Sequence, residues 1–239
     1  MSFTLRSAAV SDLGLVRTNN EDSAYAGRQL LAVADGIGGL PAGELASDLV
    51  VRSLAPLEEA SGQGEALLDL RRALDAANQQ IREAADGDPS RDGMGTTVTA
   101  LLLRGDELAV LHVGDSRGYL LRDGALRQVT RDDTFVQSLV DRGVLTAEEA
   151  RRHPQRSLVT RAVQGDHVAP ACATLRPEEG DRLLLCSDGL SDYVTDEAIA
   201  GALQSHPDPQ QCAECLVKLA LQAGGPDNIT VVVADVVAG

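Results

Sequence analysis

Residues 30–39 read LLAVADGIGG, an apolar run that ends directly on Asp35 and Gly36. Residues 183–189, LLLCSDG, repeat this arrangement around Asp188. Asp-Gly is a strong β-hairpin signal when a second strand follows at once. Here each Asp-Gly pair is followed by a loop-like segment and then a helix-like segment, so the hairpin interpretation fails at both places. Both runs are therefore predicted to be buried strands that carry an aspartate to the edge of a sheet.

Two more aspartates stand at the ends of apolar segments. Asp115 follows LAVLHVG, and Asp227 precedes the apolar run ITVVVADV. A tight turn is the ordinary explanation for any one of these residues. Taken together, carboxylates at sheet edges repel one another unless cations neutralise them, and hard divalent cations prefer oxygen ligands. Glycine at position 36 would also let a backbone carbonyl approach such an ion. The pattern therefore predicts a metal site.

Other phosphate-handling chemistries fit the sequence less well. The segment GIGGLPAG (36–43) has neither the lysine of a P-loop nor the G-x-G-x-x-G spacing of a dinucleotide site. Phospho-aspartate chemistry needs a lysine beside the aspartate, and the sole lysine, Lys218, falls within a helix-like segment. There is no G-x-S-x-G nucleophile elbow. The CAEC segment (212–215) lacks a second cysteine pair, which favours core packing over zinc or redox chemistry.

The overall composition limits the choice of partners. The 239 residues are 44% hydrophobic, with no evident linker, and predict one domain over residues 1–239. The formal charge of -15 argues against nucleic-acid binding but allows anionic substrates if metal ions reverse the local field. Four cysteines and no signal peptide predict a reducing, cytoplasmic compartment. The segment should not contact a membrane, should be monomeric, and could also be the intracellular domain of a longer, membrane-anchored protein.

The order of apolar patterns predicts the fold class. Turn signals at 104–106 and 122–124 lie between strand-like runs and indicate antiparallel pairing. Helix-like stretches carry apolar residues at a three-to-four spacing. Runs of strands separated by runs of helices predict an α+β fold in which helices cover sheets. Strands are expected at 4–10, 30–34, 96–103, 107–113, 118–122, 182–187 and 229–236, and helices at 43–54, 64–87, 146–150 and 208–223.

Six motifs in a fixed order carry a family resemblance. They are VRTNNEDS (16–23), VADGIGG (33–39), GMGTTVTALLL (93–103), VGDSRGYLLRDG (113–124), CSDGLSD (186–192) and GGPDNITVVV (224–233). Together they resemble the metal-dependent (PPM, or protein phosphatase 2C-like) Ser/Thr protein phosphatases, including the actinobacterial members that oppose Ser/Thr kinases. The resemblance implies an αββα sandwich of two mainly antiparallel β-sheets flanked by helices, with a variable flap at 131–165.

The resemblance also implies a centre of two Mn²⁺ or Mg²⁺ ions, with a third ion bound more weakly. In that arrangement Asp35 bridges the two ions and the carbonyl of Gly36 binds the first. Asp188 and Asp227 bind the second ion. Asp115, together with Asp188, holds the third.

Three further residues receive roles from the resemblance. Glu21 acts on the metal through water, Asp22 supports that shell, and Arg17 binds the phosphate and forms the catalytic set with Asp35. The expected reaction is direct attack on phosphorus by a hydroxide that bridges the metals, with no covalent intermediate. Many relatives carry a histidine, proposed as the general acid, where this chain has Ile37. The proton donor is then either a metal-bound water or, as a weaker candidate, His153.

The expected substrates are phosphorylated proteins, in particular Ser/Thr kinases and their substrates. Within the flap, RRHPQRSLVTR (151–161) carries four arginines and no acid, which suggests steering of phosphopeptides or, alternatively, a solvated arginine face. Ser157 could contact the third ion. Two other functions stay open: an inactive binding module of the same fold, and a phosphatase for a small metabolite. Retention of the metal aspartates and Arg17 favours an enzyme, and a flat site beside a flap would favour a protein substrate.

Overall fold

The computed structural model describes residues 3–37, 42–60 and 65–239. The strands are β1 (Phe3–Asp12), β2 (Asp22–Ala26), β3 (Leu30–Asp35), β4 (Val98–Arg104), β5 (Glu107–Val113), β6 (Arg117–Arg122), β7 (Ala125–Gln128), β8 (Ala171–Leu175), β9 (Arg182–Cys186) and β10 (Ile229–Ala238). The helices are α1 (Gly43–Leu54), α2 (Ala66–Gly87), α3 (Phe135–Asp141), α4 (Ala147–Arg151), α5 (Asp188–Ser191), α6 (Asp196–Ser205) and α7 (Pro209–Gln222). The predicted glycine-rich loop after Asp35 falls partly outside the described residues.

The strands form two antiparallel sheets of five strands each, ordered β1-β10-β9-β6-β7 and β2-β3-β4-β5-β8. One apolar layer lies between the sheets, a second packs α1 and α2 onto the second sheet, and a third packs α6 and α7 onto the first. The predicted α+β class and the αββα sandwich are thereby confirmed. No helix in the described part of the chain is long and apolar enough to cross a bilayer.

The continuous apolar runs are strands that are buried on both faces. In β3, Leu31 and Val33 pack between the sheets, while Leu30, Ala32 and Ala34 face the helices. A strand with a core on each side has no polar face, so its sequence shows an unbroken apolar run instead of alternation. The same holds for β9, which places alternate residues in the two layers.

The helical predictions are confirmed where an apolar stripe supports them. In α2, Leu70, Leu74, Ala77 and Ile81 form the buried stripe. In α7, Cys212 is fully buried, and all four cysteines are free. The CAEC segment therefore serves core packing, as the absence of a second cysteine pair indicated.

Several elements were not predicted. β2 and β8 are edge strands of the second sheet and lack fully buried residues, so their sequences carry no apolar run. The hairpin signal at 122–124 did anticipate β7, because Asp123 and Gly124 adopt φ values of 50° and 78°, as a type I′ turn requires. Helices α3 and α5 were also missed, and α5 is a single turn that begins at Asp188; α6 is the helix-like segment expected after Asp188.

Strand register brings the predicted aspartates to one end of the sandwich. Asp22 is opposite Asp35 in the β2–β3 ladder. Cys186 of β9 is opposite Val231 of β10, so the segment after β9 and the segment before β10 lie at the same end. Val98 of β4 pairs with Val113 of β5, which brings the β5–β6 turn to the start of β4. Four loops and strand ends therefore meet around one pocket.

Candidate metal centre

One pocket at this end of the sandwich brings together every predicted site residue except Asp22. Its lining residues are Arg17, Glu21, Asp35, Gly36, Ile37, Thr97, Asp115, Ser157, Val159, Asp188, Asp227 and Asn228. These residues are spread over more than 200 positions of the sequence, and the fold brings them together. The lining is therefore acidic, as the comparison of strand ends predicted.

Asp22 lies directly behind the pocket, opposite Asp35. Its Oδ2 accepts a hydrogen bond of 2.8 Å from the hydroxyl of Ser187. Its Oδ1 is buried and has no hydrogen-bond partner in the described part of the chain. Burial raises the pKa of Asp22 to about 6, and burial together with the charges of Asp22 and Asp188 raises the pKa of Asp35 well above its ordinary value. Both carboxyls therefore carry negative charge at a cost in free energy.

Asp188 and Asp115 extend this crowding of negative charge. Asp188 is the first residue of α5, and burial followed by the charge of Asp115 raises its pKa well above the ordinary value. Asp115 lies in the β5–β6 turn, where burial and then the charges of Asp132 and Asp192 raise its pKa to about 7. Such a site becomes favourable when protons or cations neutralise it.

Arg17 is the one cationic side chain among the described residues that line the pocket. Its guanidinium donates to Oδ2 of Asp227 at 2.8 Å, and Oδ1 of Asp227 accepts from the backbone N–H of Asn228. The side chain of Arg17 is 38% exposed. Arg17 therefore pairs directly with Asp227 and not with the deeper aspartates.

The donor set fits hard divalent cations. Carboxylate oxygens from four aspartates and the carbonyl of Gly36 are the ligand types that Mn²⁺ and Mg²⁺ take. A Cβ at position 36 would lie 2.5 Å from the backbone of Gly43, so the close approach there requires glycine. Among the described residues, no group of three or more Asp, Glu, His or Cys side chains is arranged to hold a metal ion. An ion bound by aspartates of this pocket would complete its shell with backbone carbonyls and water.

Two hydroxyls that the sequence did not single out connect Asp35 with the turn that carries Asp115. The backbone N–H of Asp35 donates to Oγ1 of Thr97 at 3.1 Å, and that hydroxyl is 2.6 Å from Oγ of Ser116. Both hydroxyl residues are buried. Polar residues at the starts of otherwise apolar strands were the available signal. This connection fixes the two aspartates relative to each other.

Asn228 was also missed, although it directly follows Asp227. Its Oδ1 accepts from the backbone N–H of Glu21, and its Nδ2 donates to the carbonyls of Leu13 and Asn19. One buried amide therefore holds the whole loop that carries Arg17 and Glu21 against β10. The pKa of Glu21 is raised, first by burial and then by the charge of Glu44.

We expect Thr97→Val to lower the free energy of unfolding by about 1–3 kcal/mol, because the buried N–H of Asp35 loses its acceptor while the side-chain shape is kept. Urea unfolding followed by circular dichroism measures the change. Thr174→Val, at an exposed position on the edge strand β8, is the matched control and should change little. Equal stability of the two variants would show that the Thr97 hydroxyl does not support Asp35.

The basic part of the flap forms ion pairs, which bear on the steering hypothesis. Its four arginines pair with acids: Arg151 with Asp196, Arg152 with Glu148, Arg156 with Asp192, and Arg161 with Asp133. The positive charge is therefore neutralised locally, which weakens its long-range effect on a phosphopeptide. Two of these pairs, those of Asp192 and Asp196, attach the flap to the segment that begins at Asp188.

His153 and Ser157 occupy different parts of the flap. His153 contacts the ring of Phe135, with ring centres 6.3 Å apart, and is not among the residues that line the pocket. Ser157 does line the pocket, and its hydroxyl donates to Asp192 at 3.3 Å. Asp192, the second aspartate of the CSDGLSD motif, was given no role from the sequence and joins the flap to the core.

Two antiparallel sheets packed face to face, with an acidic pocket at their common edge and a flap beside it, define the class of metal-dependent phosphatases that the sequence resembles. Comparison with protein families gives the same result, because residues 17–219 match the model described as protein phosphatase 2C. The chain belongs to the protein phosphatase 2C family.

Several relatives that match this chain are bacterial Ser/Thr phosphatases. The serine/threonine protein phosphatase PstP of Mycobacterium tuberculosis is 56% identical over 99% of this chain and 46% of its own length. The protein phosphatase PhpP of Streptococcus pneumoniae is 36% identical, with 93% of this chain and 94% of that protein covered. A crystal structure of the PstP catalytic domain with two manganese ions superposes with a TM-score of 0.94 at 54% identity, covering 99% of this chain and all of that one. This chain spans about half the length of full PstP.

Proposed function

We propose that this chain is a metal-dependent protein-Ser/Thr phosphatase that uses two Mn²⁺ or Mg²⁺ ions. The observation that carries the proposal is the set of buried aspartates with raised pKa values around one pocket, next to a single arginine. Perturbed carboxyls in a cleft are typical of functional sites. The two manganese ions in the related PstP catalytic domain support the choice of cofactor.

The residues assigned to the metals are those of the pocket. Asp35 and the carbonyl of Gly36 would hold the first ion, and Asp35, Asp188 and Asp227 the second. Asp115 with Asp188 would hold a third ion more weakly. When bound, the ions supply an activated water and neutralise the negative charge of the phosphoryl group.

The remaining side chains position this machinery. Asp22, hydrogen-bonded to Ser187, supports the β2–β3 edge behind Asp35, and Glu21 faces the pocket, where it can bind metal-associated water. Arg17 offers a planar pair of donors to phosphoryl oxygens, which a lysine ammonium cannot match. Ile37 has no proton to give, and His153 is not among the pocket residues. The leaving oxygen of serine or threonine therefore takes its proton from water.

The proposed substrates are phosphorylated proteins, in particular Ser/Thr kinases and the proteins that they modify. The related PstP and PhpP are named as protein phosphatases, which supports this class over a small metabolite. We further propose that the chain acts as a monomer in a reducing, cytoplasmic compartment, in keeping with its four free cysteines.

The direct test is hydrolysis of p-nitrophenyl phosphate and a phosphothreonine peptide, measured after EDTA treatment and again with added Mn²⁺. We expect turnover only with the metal. Arg17→Lys should lower kcat/KM for both substrates on the order of 100-fold, because the paired donors are lost, while Mn²⁺ still raises the melting temperature. Arg72→Lys, on the exposed face of α2, is the matched control. Turnover in EDTA would contradict the proposal, and Mn²⁺ binding without turnover would favour an inactive binding module.

A further inference from the structure

Large apolar side chains are strongly exposed at only a few positions in the described part of the chain, and most of these positions lie in the two segments that contribute Arg17, Ser157 and Val159 to the pocket lining. Leu15 and Val16, each 68% exposed, directly precede Arg17. Leu13, which is also exposed, lies two residues before Leu15. Leu158, 49% exposed, stands in the flap between Ser157 and Val159. We call Leu13, Leu15, Val16 and Leu158 the apolar rim. The two other exposed positions are Leu68 and Val144.

The apolar rim adjoins the pocket through the chain itself. Arg17 lines the pocket on one side, and Ser157 and Val159 line it on the other. Adjacent Cα atoms are 3.8 Å apart, so Val16 and Leu158 are next to lining residues. The rim therefore has a part on each of the two segments that border the pocket.

The backbone beneath the rim is held in place. The carbonyl of Leu13 accepts from the amide of Asn228, and the N–H of Leu15 donates to the carbonyl of Gly225 at 2.6 Å. Loss of order at a chain end therefore does not account for the exposure of these side chains. The fold fixes the loop and presents its apolar groups to solvent.

Single exposed apolar residues are normal, whereas a cluster beside a polar cleft is typical of a recognition surface. We propose that the apolar rim binds aliphatic side chains that flank the phosphorylated residue of the substrate peptide. This inference rests on the proposed phosphatase function. The occupant is a phosphopeptide because the rim is continuous with the pocket and with Arg17, which would receive the phosphate.

The test uses two phosphothreonine peptides that are identical except for the residues on either side of the phosphothreonine, which are leucine in one and serine in the other. We expect kcat/KM of the wild type to be about tenfold higher for the leucine peptide, since part of each leucine leaves water. The double variant Leu15→Ser with Val16→Ser should bring that ratio close to one. Leu158→Ser gives a second, independent variant on the flap side. Val144→Ser, exposed but outside the rim, should keep the ratio of the wild type.

The outcomes separate this inference from the function on which it rests. Equal rates on the two peptides in the wild type, or a preference that survives in both rim variants, would overturn the inference alone. Sedimentation of a wild-type dimer that the double variant abolishes would also overturn it, because the rim would then be covered by a second copy of the chain. Absence of p-nitrophenyl phosphate hydrolysis by the wild type with Mn²⁺ would overturn the proposed function and the inference with it.

Discussion

The Asp188→Asn variant will be more stable than the wild type in EDTA and at least about 1000-fold less active with Mn²⁺. The pKa of Asp188 is raised first by burial and then by the charge of Asp115. The fold of the metal-free protein therefore disfavours the ionised form of this carboxyl, and an amide of the same shape cannot ionise. We expect a gain of about 1–2 kcal/mol in the free energy of unfolding, at the expense of activity.

The pH dependence of this gain has a defined sign. A carboxyl whose pKa is raised in the folded protein binds more protons there than in the unfolded chain, so stability falls as pH rises above the ordinary carboxyl pKa near 4. Asp188→Asn abolishes this contribution from one residue. The gain in stability should therefore be small at pH 5 and larger at pH 8, as measured by urea unfolding in EDTA.

The loss of activity follows from the loss of a metal ligand. Mn²⁺ at 100 times its dissociation constant should stabilise the wild type by about 2.7 kcal/mol, and the variant by less. Asp106→Asn, exposed in the β4–β5 turn, is the matched control for both measurements. A variant that keeps the activity of the wild type would remove Asp188 from the metal centre, and a variant less stable in EDTA would show that repulsion does not dominate there.

The part of the fold that the sequence revealed is the part with an uninterrupted core on both sides. β3, β9 and β10 each contain an unbroken apolar run, because helices cover one face and the opposite sheet covers the other. β2 and β8 could not be found this way, since edge strands with half-exposed residues show no distinct pattern. Their pairing is determined by neighbours that are distant in sequence.

In the site, too, some residues could be predicted from the sequence and others could not. Asp35 and Asp188 could be predicted because each follows a buried strand, and strand ends converge at sheet edges. The hydroxyl of Thr97 and the amide of Asn228 could not, because their roles depend on contacts with Ser116 and Glu21 that only the fold creates. For the flap arginines, the local sequence did not reveal the acidic partners.

A count of charges in the local sequence indicated a basic surface, yet all four acids that pair with these arginines come from outside the segment 151–161. Asp133 precedes it, and Asp192 and Asp196 follow it by about 30 residues or more. The charges of a short sequence segment therefore predict which residues a surface contains better than they predict its electrostatic potential.

The flap begins at a buried ion pair whose disruption should have the largest effect on stability. Arg117 of β6 donates from Nε and a terminal nitrogen to the carboxylate of Asp132, with distances of 2.7–3.0 Å. The two side chains are 15% and 8% exposed, and Gln128 also donates to Asp132. We expect Asp132→Ala to lower the free energy of unfolding by about 3–5 kcal/mol, because it removes the hydrogen-bonded carboxylate partner of the buried Arg117 guanidinium.

A double variant distinguishes the effect of losing the whole ion pair on stability from the effect of leaving one buried partner without the other. Replacing a buried ion pair by apolar residues of similar size is often neutral, so Arg117→Met combined with Asp132→Leu should recover most of the stability that Asp132→Ala loses. Glu148→Ala, which breaks the exposed pair with Arg152 in the same flap, should change stability by less than about 1 kcal/mol. If the double variant were as unstable as Asp132→Ala, the pair would itself stabilise the fold, and the hydrogen bond from Gln128 to Asp132 would be the next contact to test.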